Sequence, residues 1–320
     1  MGTITFEGKE FVSKEGETVL DCLLRLGVSV TNSCKSGVCH SCILKTTSEI
    51  EGKSQKGLSD SKKKAGLFLS CQQQVADRME VFSPDANTLF IDAIIVDQKR
   101  VSDSVVVVKV RPLQDFSFTA GQFINIVRGD GHCRSYSIAG RTGDSELELH
   151  IRKVPNGILS NWFYDEQLIN EKIKISEANG ECSLTTEMKG KNLLLIGVGT
   201  GLAPLYGVVQ DALESSIVEK INLIHGSFTF DGLYYCERLK ELEQKNHSFD
   251  YYPLFLKGDE REGFIKGDIV EFVKKFNFEA SNTIVMICGD PVIVKSLKQT
   301  IFLAGVPSRS ILSDPFVSKY

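Results

Sequence analysis

Cys34-Lys-Ser-Gly-Val-Cys39-His-Ser-Cys42, with Cys71 following after 28 further residues, decides how the amino-terminal part of this chain is read. A C-x4-C-x2-C run with a distant fourth cysteine is the plant-type spacing for a 2Fe-2S cluster, whose first three thiolates come from one loop wrapped round the cluster. Ser33, Ser36, Gly37 and Ser41 suit that loop, because a chain curling tightly about sulfides needs small residues and backbone N–H groups aimed at sulfur. A structural zinc site is the competing assignment. Zinc sites usually present two C-x2–4-C pairs, and here only Cys39 with Cys42 forms one.

Outward from this loop, cysteine use is uneven: Cys22, Cys34, Cys39, Cys42 and Cys71 are five of the nine, which marks residues 1–86 as a separate module. TITFEG and KEFV read as two short strands around a glycine turn, and Val19, Leu23, Leu24 and Leu26 recur at roughly helical spacing. A small β-grasp-like unit with one amphipathic helix is expected, with Cys22 in its core. From Thr47 to Lys64 the chain reads as a polar loop, and Lys62, Lys63 and Lys64 as a solvated run with a docking role left open. His40, His132 and His247 read as surface residues. The module carries 11 basic and 11 acidic side chains, so no strong field steers partners to it.

At 320 residues the chain exceeds what one core supports, which predicts two or three domains. Its 37 Lys and Arg against 41 Asp and Glu leave no basic excess for a nucleic-acid backbone. No run approaches the roughly 18 apolar residues of a membrane span. The first residues lack a basic segment followed by an apolar one, so the expected setting is the cytoplasm with thiols kept reduced.

SPDAN at 83–87 breaks the pattern with Pro and turn formers. Over 87–189, VVVVKV (105–110), QFINIV (122–127) and ELELHIRKV (146–154) read as short strands, and an antiparallel barrel is expected. Over 190–320 apolar strands alternate with helices: NLLLIGV, APLYGVVQDALES, KINLIHGS, a Lys/Glu-rich helix near 235–245, TIVMICGD and VIVKSLKQTIFLAGV. That alternation implies an α/β unit with a parallel sheet covered on both faces.

Each of these two segments carries candidate ligand groups. Gly197-Val-Gly199-Thr200-Gly201-Leu-Ala-Pro204 joins an apolar strand to an apolar helix, where glycines let a pyrophosphate approach a helix N-terminus. Its third glycine comes one residue early for G-x-G-x-x-G, and no acidic residue stands about 20 positions on, so a plain strand–turn–helix stays open. Arg134-Ser135-Tyr136-Ser137 combines a cation for phosphate, an aromatic face and a hydroxyl. Arg152 and the turn Pro155 to Ser160, with Gly157, offer a second anion site. Cys288-Gly289-Asp290-Pro291 ends an apolar strand where parallel sheets place ligands, whereas Cys133, Cys182 and Cys236 read as structural.

Electron counting links these sites. A nicotinamide gives up two electrons at once as hydride, a 2Fe-2S centre takes one at a time, and a flavin can stand between them. A cluster at one end and a dinucleotide sheet at the other therefore call for a flavin in the barrel.

The ordered set Cys34/Cys39/Cys42/Cys71, RSYS (134–137), GVGTGLAP (197–204) and CGDP (288–291) resembles the ferredoxin–NAD(P)H reductase superfamily with a fused plant-type ferredoxin. The resemblance implies an oxidoreductase that passes electrons from NADH through FAD and the cluster to a partner redox protein, an oxygenase component being the expected acceptor. It implies that Cys34, Cys39, Cys42 and Cys71 bind iron, that Arg134 pairs with the FAD pyrophosphate, that Tyr136 lies along the flavin and that Ser137 sits near its reactive nitrogen. It further implies that Arg152, Gly157 and Ser160 form a second flavin segment, that Gly197 to Pro204 cradle the nicotinamide pyrophosphate, and that Cys288 to Pro291 line the nicotinamide path, with Ser137 and Cys288 at the reacting centre. Three departures stand out. EANGEC (177–182) replaces a Gly-Pro-x-Gly segment, leaving Gly180 to align; Phe228 stands where relatives often carry Arg, which favours NADH over NADPH; and Phe316 and Tyr320 compete as the terminal aromatic shielding the flavin. Acceptors such as a dehydratase or a separate electron carrier, and a redox-sensing or binding protein with a structural metal, remain the alternatives.

Overall fold

The computed structural model describes residues 2–317, so Tyr320 lies outside the described residues. Strands β1 (Thr3–Phe6), β2 (Lys9–Val12), β3 (Ile43–Thr46), β4 (Leu67–Leu69) and β5 (Arg78–Phe82) form one sheet in the order β2-β1-β5-β3-β4. Helix α1 (Val19–Arg25) starts where Thr18 accepts from the Asp21 amide, and it buries Val19, Leu20, Cys22 and Leu23 against that sheet. Lys62, Lys63 and Lys64 lie in a short helix, α2 (Asp60–Lys64), rather than in a loop.

A one-turn helix, α3 (Ala86–Leu89), leads into the second sheet. Its strands are β6 (Phe90–Arg100), β7 (Val105–Pro112), β8 (Phe123–Val127), β9 (Cys133–Ser137), β10 (Leu147–Arg152) and β11 (Lys172–Ser176), in the order β10-β7-β6-β11-β8-β9. All the pairings are antiparallel. The ends meet through an Ile138–Leu149 bridge and an Ala139 amide donating to the Glu148 carbonyl at 2.7 Å, which closes the barrel. Helix α4 (Ile158–Asp165) buries Leu159, Trp162 and Phe163 against the barrel core.

The third sheet is parallel throughout: β12 (Asn192–Val198), β13 (Lys220–Thr229), β14 (Phe249–Lys257), β15 (Ile265–Lys266), β16 (Thr283–Gly289) and β17 (Ile311–Pro315), ordered β15-β14-β13-β12-β16-β17. Helix α5 (Leu202–Ser215) and α6 (Cys236–Lys245) cover one face, α7 (Ile269–Lys275) and α8 (Pro291–Leu303) the other. The strand order reverses between β12 and β16, and the crevice at the carboxyl ends of such strands is where open α/β sheets take ligands. The sequence reading names no element over β14, which carries Pro253 in its middle. The chain tolerates that proline because β15 pairs only with Leu254 and Phe255.

Barrel and parallel sheet meet tightly. A Cβ on Gly207 of α5 would lie 2.3 Å from the Gly140 carbonyl oxygen, so only glycine permits this approach. The Thr142 amide donates to Asp211 at 3.1 Å across the same seam. Among the described residues no helix is long and apolar enough to cross a membrane.

Candidate functional site

The loop after α1 curls because Lys35, Gly37 and His40 all take positive φ, and a Cβ on Gly37 would lie 2.7 Å from the Gln72 side chain. The curl turns donors toward sulfur. The Ser36 and Cys39 amides each reach Cys34 Sγ at 3.3 Å, and the Cys34 amide reaches Cys39 Sγ at 3.4 Å. Gln72 Nε2 lies 3.4 Å from Cys71 Sγ. The sulfurs meet in two pairs: a hydrogen bond from the Cys39 thiol holds Cys34 well below the usual thiol range, and one from the Cys42 thiol lowers Cys71. Each donor thiol is itself pushed well up by its partner and by burial.

Among the described residues no three His, Cys, Asp or Glu side chains converge as a single ion requires. Two thiolates for each of two irons match the paired arrangement. The four cysteines therefore fit the cluster.

A cavity of about 520 Å3 lies where the three sheets' loops converge. One wall is the cluster loop, with Cys34, Val38 and Cys39. A second comes from the barrel, where β9 supplies Arg134, Tyr136 and Ser137, β10 supplies Arg152, and the start of α4 supplies Gly157 and Ser160. The third is Val198, Thr200, Asp290, Asp314 and Phe316, beside the carboxyl ends of β12, β16 and β17. Two guanidinium groups and a helix N-terminus on one wall suit a pyrophosphate, and the volume falls within the usual range for cofactor sites. The donor set fits FAD.

Several expected residues shape this site from behind its wall. Gly197, Gly199, Gly201 and Pro204 do not line the cavity, whereas Val198, Thr200 and Ala203 of the same segment do. Gly201 is needed for packing, since its Cβ would lie 2.1 Å from the Cys288 carbonyl oxygen. Gly289 takes a positive φ of 131°, and its carbonyl accepts from the Phe316 amide at 2.7 Å. Pro291 opens α8, whose first amides Asp290 caps. Cys288 is fully buried and sits 3.8 Å from Cys182 Sγ, because the alternation of β16 turns its thiol into the seam with the barrel. Burial pushes that thiol far up, which keeps it from being a ready nucleophile or acid. Cys42 and Cys71 likewise lie off the cavity wall.

Two surface assignments are corrected. His40 is half-buried, with Nδ1 3.1 Å from Asn179 Oδ1 of the barrel, and burial lowers its pKa. Lys62 pairs with Glu177 of the barrel at 2.6 Å and is only 12% exposed. Both are interdomain contacts, invisible to local composition.

Family models match in the same order as the folds: a 2Fe-2S iron-sulfur cluster binding domain over residues 3–76, an oxidoreductase FAD-binding domain over 92–183, and an oxidoreductase NAD-binding domain over 195–299. The reductase subunit of an aromatic O-demethylase from Amycolatopsis is 30% identical over 315 residues, 92% of each chain. The chain belongs to the ferredoxin–NAD(P)H reductases. The reductase component of the naphthalene 1,2-dioxygenase system of Pseudomonas putida is 28% identical over 309 residues, 94% of each chain. An Amycolatopsis cytochrome P450 reductase of known structure superposes with a TM-score of 0.70 at 26% identity, covering 99% of both chains. This reductase is thus an NAD(P)H-dependent oxidoreductase with domains for a 2Fe-2S cluster, FAD and NAD(P).

Two residues of this reductase escaped the sequence reading. Asp314 lines the cavity and accepts from Ser137 Oγ at 3.3 Å; its signal was the SDPF segment (313–316) beside Phe316. Asn125 is 1% exposed inside the apolar run FINIV, and a polar residue buried at such a position is itself a signal.

Proposed function

We propose that this reductase takes electrons from NADH at its carboxy-terminal domain and delivers them singly, from its amino-terminal domain, to a partner protein that is an oxygenase component. The observation that carries this reading is the shared cavity: a group seated on Arg134, Tyr136 and Arg152 has Cys34 and Cys39 on one side and Thr200 and Asp290 on the other. FAD held there would supply the switch from two-electron to one-electron transfer, so that each NADH would become NAD+, one proton would be released, and two acceptors would each gain one electron.

The chain's own residues position and insulate. Arg134 and Arg152 hold the pyrophosphate with the amides at the start of α4. Tyr136, braced edge-on against Phe163 at 5.7 Å, keeps an aromatic surface along the flavin. Phe316 covers the same cavity from the opposite wall. Ser137 presents its hydroxyl beside Asp314 at the meeting of the two domains.

NADH is favoured over NADPH by the end of β13. Phe228 is 61% exposed there, and the ammonium of Lys257 sits 5.0 Å from its ring centre. One lysine is not a cationic cluster, and a single ammonium spent on a ring is a poor substitute for the guanidinium fork that suits a 2′-phosphate. Protein purified anaerobically should contain iron, acid-labile sulfide and FAD, should reduce a one-electron acceptor protein with NADH, and should show a larger kcat/KM for NADH than for NADPH. NADH oxidation without any single-electron product, or zinc in place of iron, would overturn the proposal.

A further inference from the structure

Asn125 is tied into both sides of the seam between barrel and cluster loop. Its Nδ2 donates to the Cys39 carbonyl at 2.7 Å, its Oδ1 accepts from Ser135 Oγ at 2.7 Å, and its backbone amide donates to Ser176 Oγ at 2.9 Å. A buried amide among isoleucines is costly unless paired, and here the pairing joins a cluster ligand to the strand that carries Arg134 and Tyr136. His40 with Asn179 and Lys62 with Glu177 also cross this seam, but neither contact is made by a cluster cysteine.

We propose that Asn125 is the positioning residue that fixes the Cys39 end of the cluster loop against the flavin-binding strand β9. Ser135 orients the Asn125 amide, and Asn125 in turn holds the carbonyl of Cys39, whose sulfur would ligate the cluster and whose residue lines the cavity. Partners that orient metal ligands from outside the coordination sphere typically change function 10–100-fold when removed. The inference rests on the proposed direction of electron flow, since only a carrier loop next to the flavin needs its register held.

The test compares Asn125→Ala, the isosteric Asn125→Asp and, as a docking control, Lys62→Ala. Asn125→Asp keeps the shape but places an acceptor where the Cys39 carbonyl needs a donor, so it separates a lost bridge from a folding defect. Hydrogen exchange of residues 34–42 and the electron paramagnetic resonance g values of the reduced cluster are measured alongside rapid-reaction kinetics. Both Asn125 variants should speed exchange in the loop, shift the g values, and slow flavin-to-cluster transfer roughly ten-fold or more while NADH-to-flavin reduction is unchanged. Lys62→Ala should leave the g values and the transfer rate unchanged. Unaltered exchange and transfer in both Asn125 variants, or equal slowing by Lys62→Ala, would overturn the proposal. Wild-type protein without flavin and iron–sulfur absorption would instead sink the underlying functional reading before any variant is compared.

Discussion

Ser137 Oγ donates to Asp314 Oδ2 at 3.3 Å, joining the last residue of β9 in the barrel to β17 of the parallel sheet across the cavity. Burial raises Asp314 from 3.8 to about 6, while the Ser137 hydroxyl pulls the other way. The folded state therefore holds this proton more tightly than the unfolded chain, and stability falls as pH rises through the window from about 4 to about 6. Asp314→Asn lacks that titration. Thermal unfolding of the two proteins across this range should show the wild-type Tm dropping relative to the variant as pH rises; parallel curves would contradict the assignment.

Cys39→Ser removes a proposed cluster ligand from the wall of the cavity while keeping the backbone carbonyl that accepts from Asn125 of the barrel. Reduction of a one-electron acceptor protein should be lost, whereas bleaching of the flavin by NADH should persist near its wild-type rate. Equal loss of both activities would reverse the proposed order of the two carriers.

Arg134 lines the cavity and anchors one nitrogen on the Cys133 carbonyl at 2.7 Å, leaving the rest of the guanidinium for a phosphate. Arg134→Ala removes a charge-assisted contact of about 1.5–3 kcal/mol. FAD should dissociate more readily, with Kd raised by one to two orders of magnitude in a fluorescence titration. An unchanged Kd would place the pyrophosphate elsewhere.

How much of this was legible before folding depends on how local the signal is. Cys34, Cys39 and Cys42 announce themselves because their ligand spacing is set within one loop, and the change from short strands to a strand–helix alternation after Lys191 is a matter of periodicity. The glycines at 197–201 were legible as a turn, but the packing of Gly201 on the backbone of β16, a strand some ninety residues on, is a contact that no local pattern announces. Lys62 looked like a solvated charge because Glu177, which neutralises it, belongs to another domain. Asp314 gave no hint of its raised proton affinity, since its burial beside Ser137 of another domain cannot be read from SDPF alone.

Gly201 offers a clean packing test. An added Cβ would lie 2.1 Å from the Cys288 carbonyl oxygen, while at Gly129 it would meet nothing within 4 Å. Gly201→Ala should cost about 1–3 kcal/mol in denaturant unfolding and weaken NADH binding, because the turn must move away from β16. Gly129→Ala should do neither. Similar behaviour of the two variants would mean that the seam between β12 and β16 yields more easily than its geometry indicates.

Entry of electrons beside the parallel sheet and their exit through the cluster are resolved by anaerobic stopped-flow mixing of the wild-type protein, carrying FAD and cluster, with NADH. Flavin absorbance is expected to fall first, with the electron paramagnetic resonance signal of the reduced cluster growing after it. Cluster reduction that precedes the flavin change, or proceeds in protein stripped of FAD, would contradict the account.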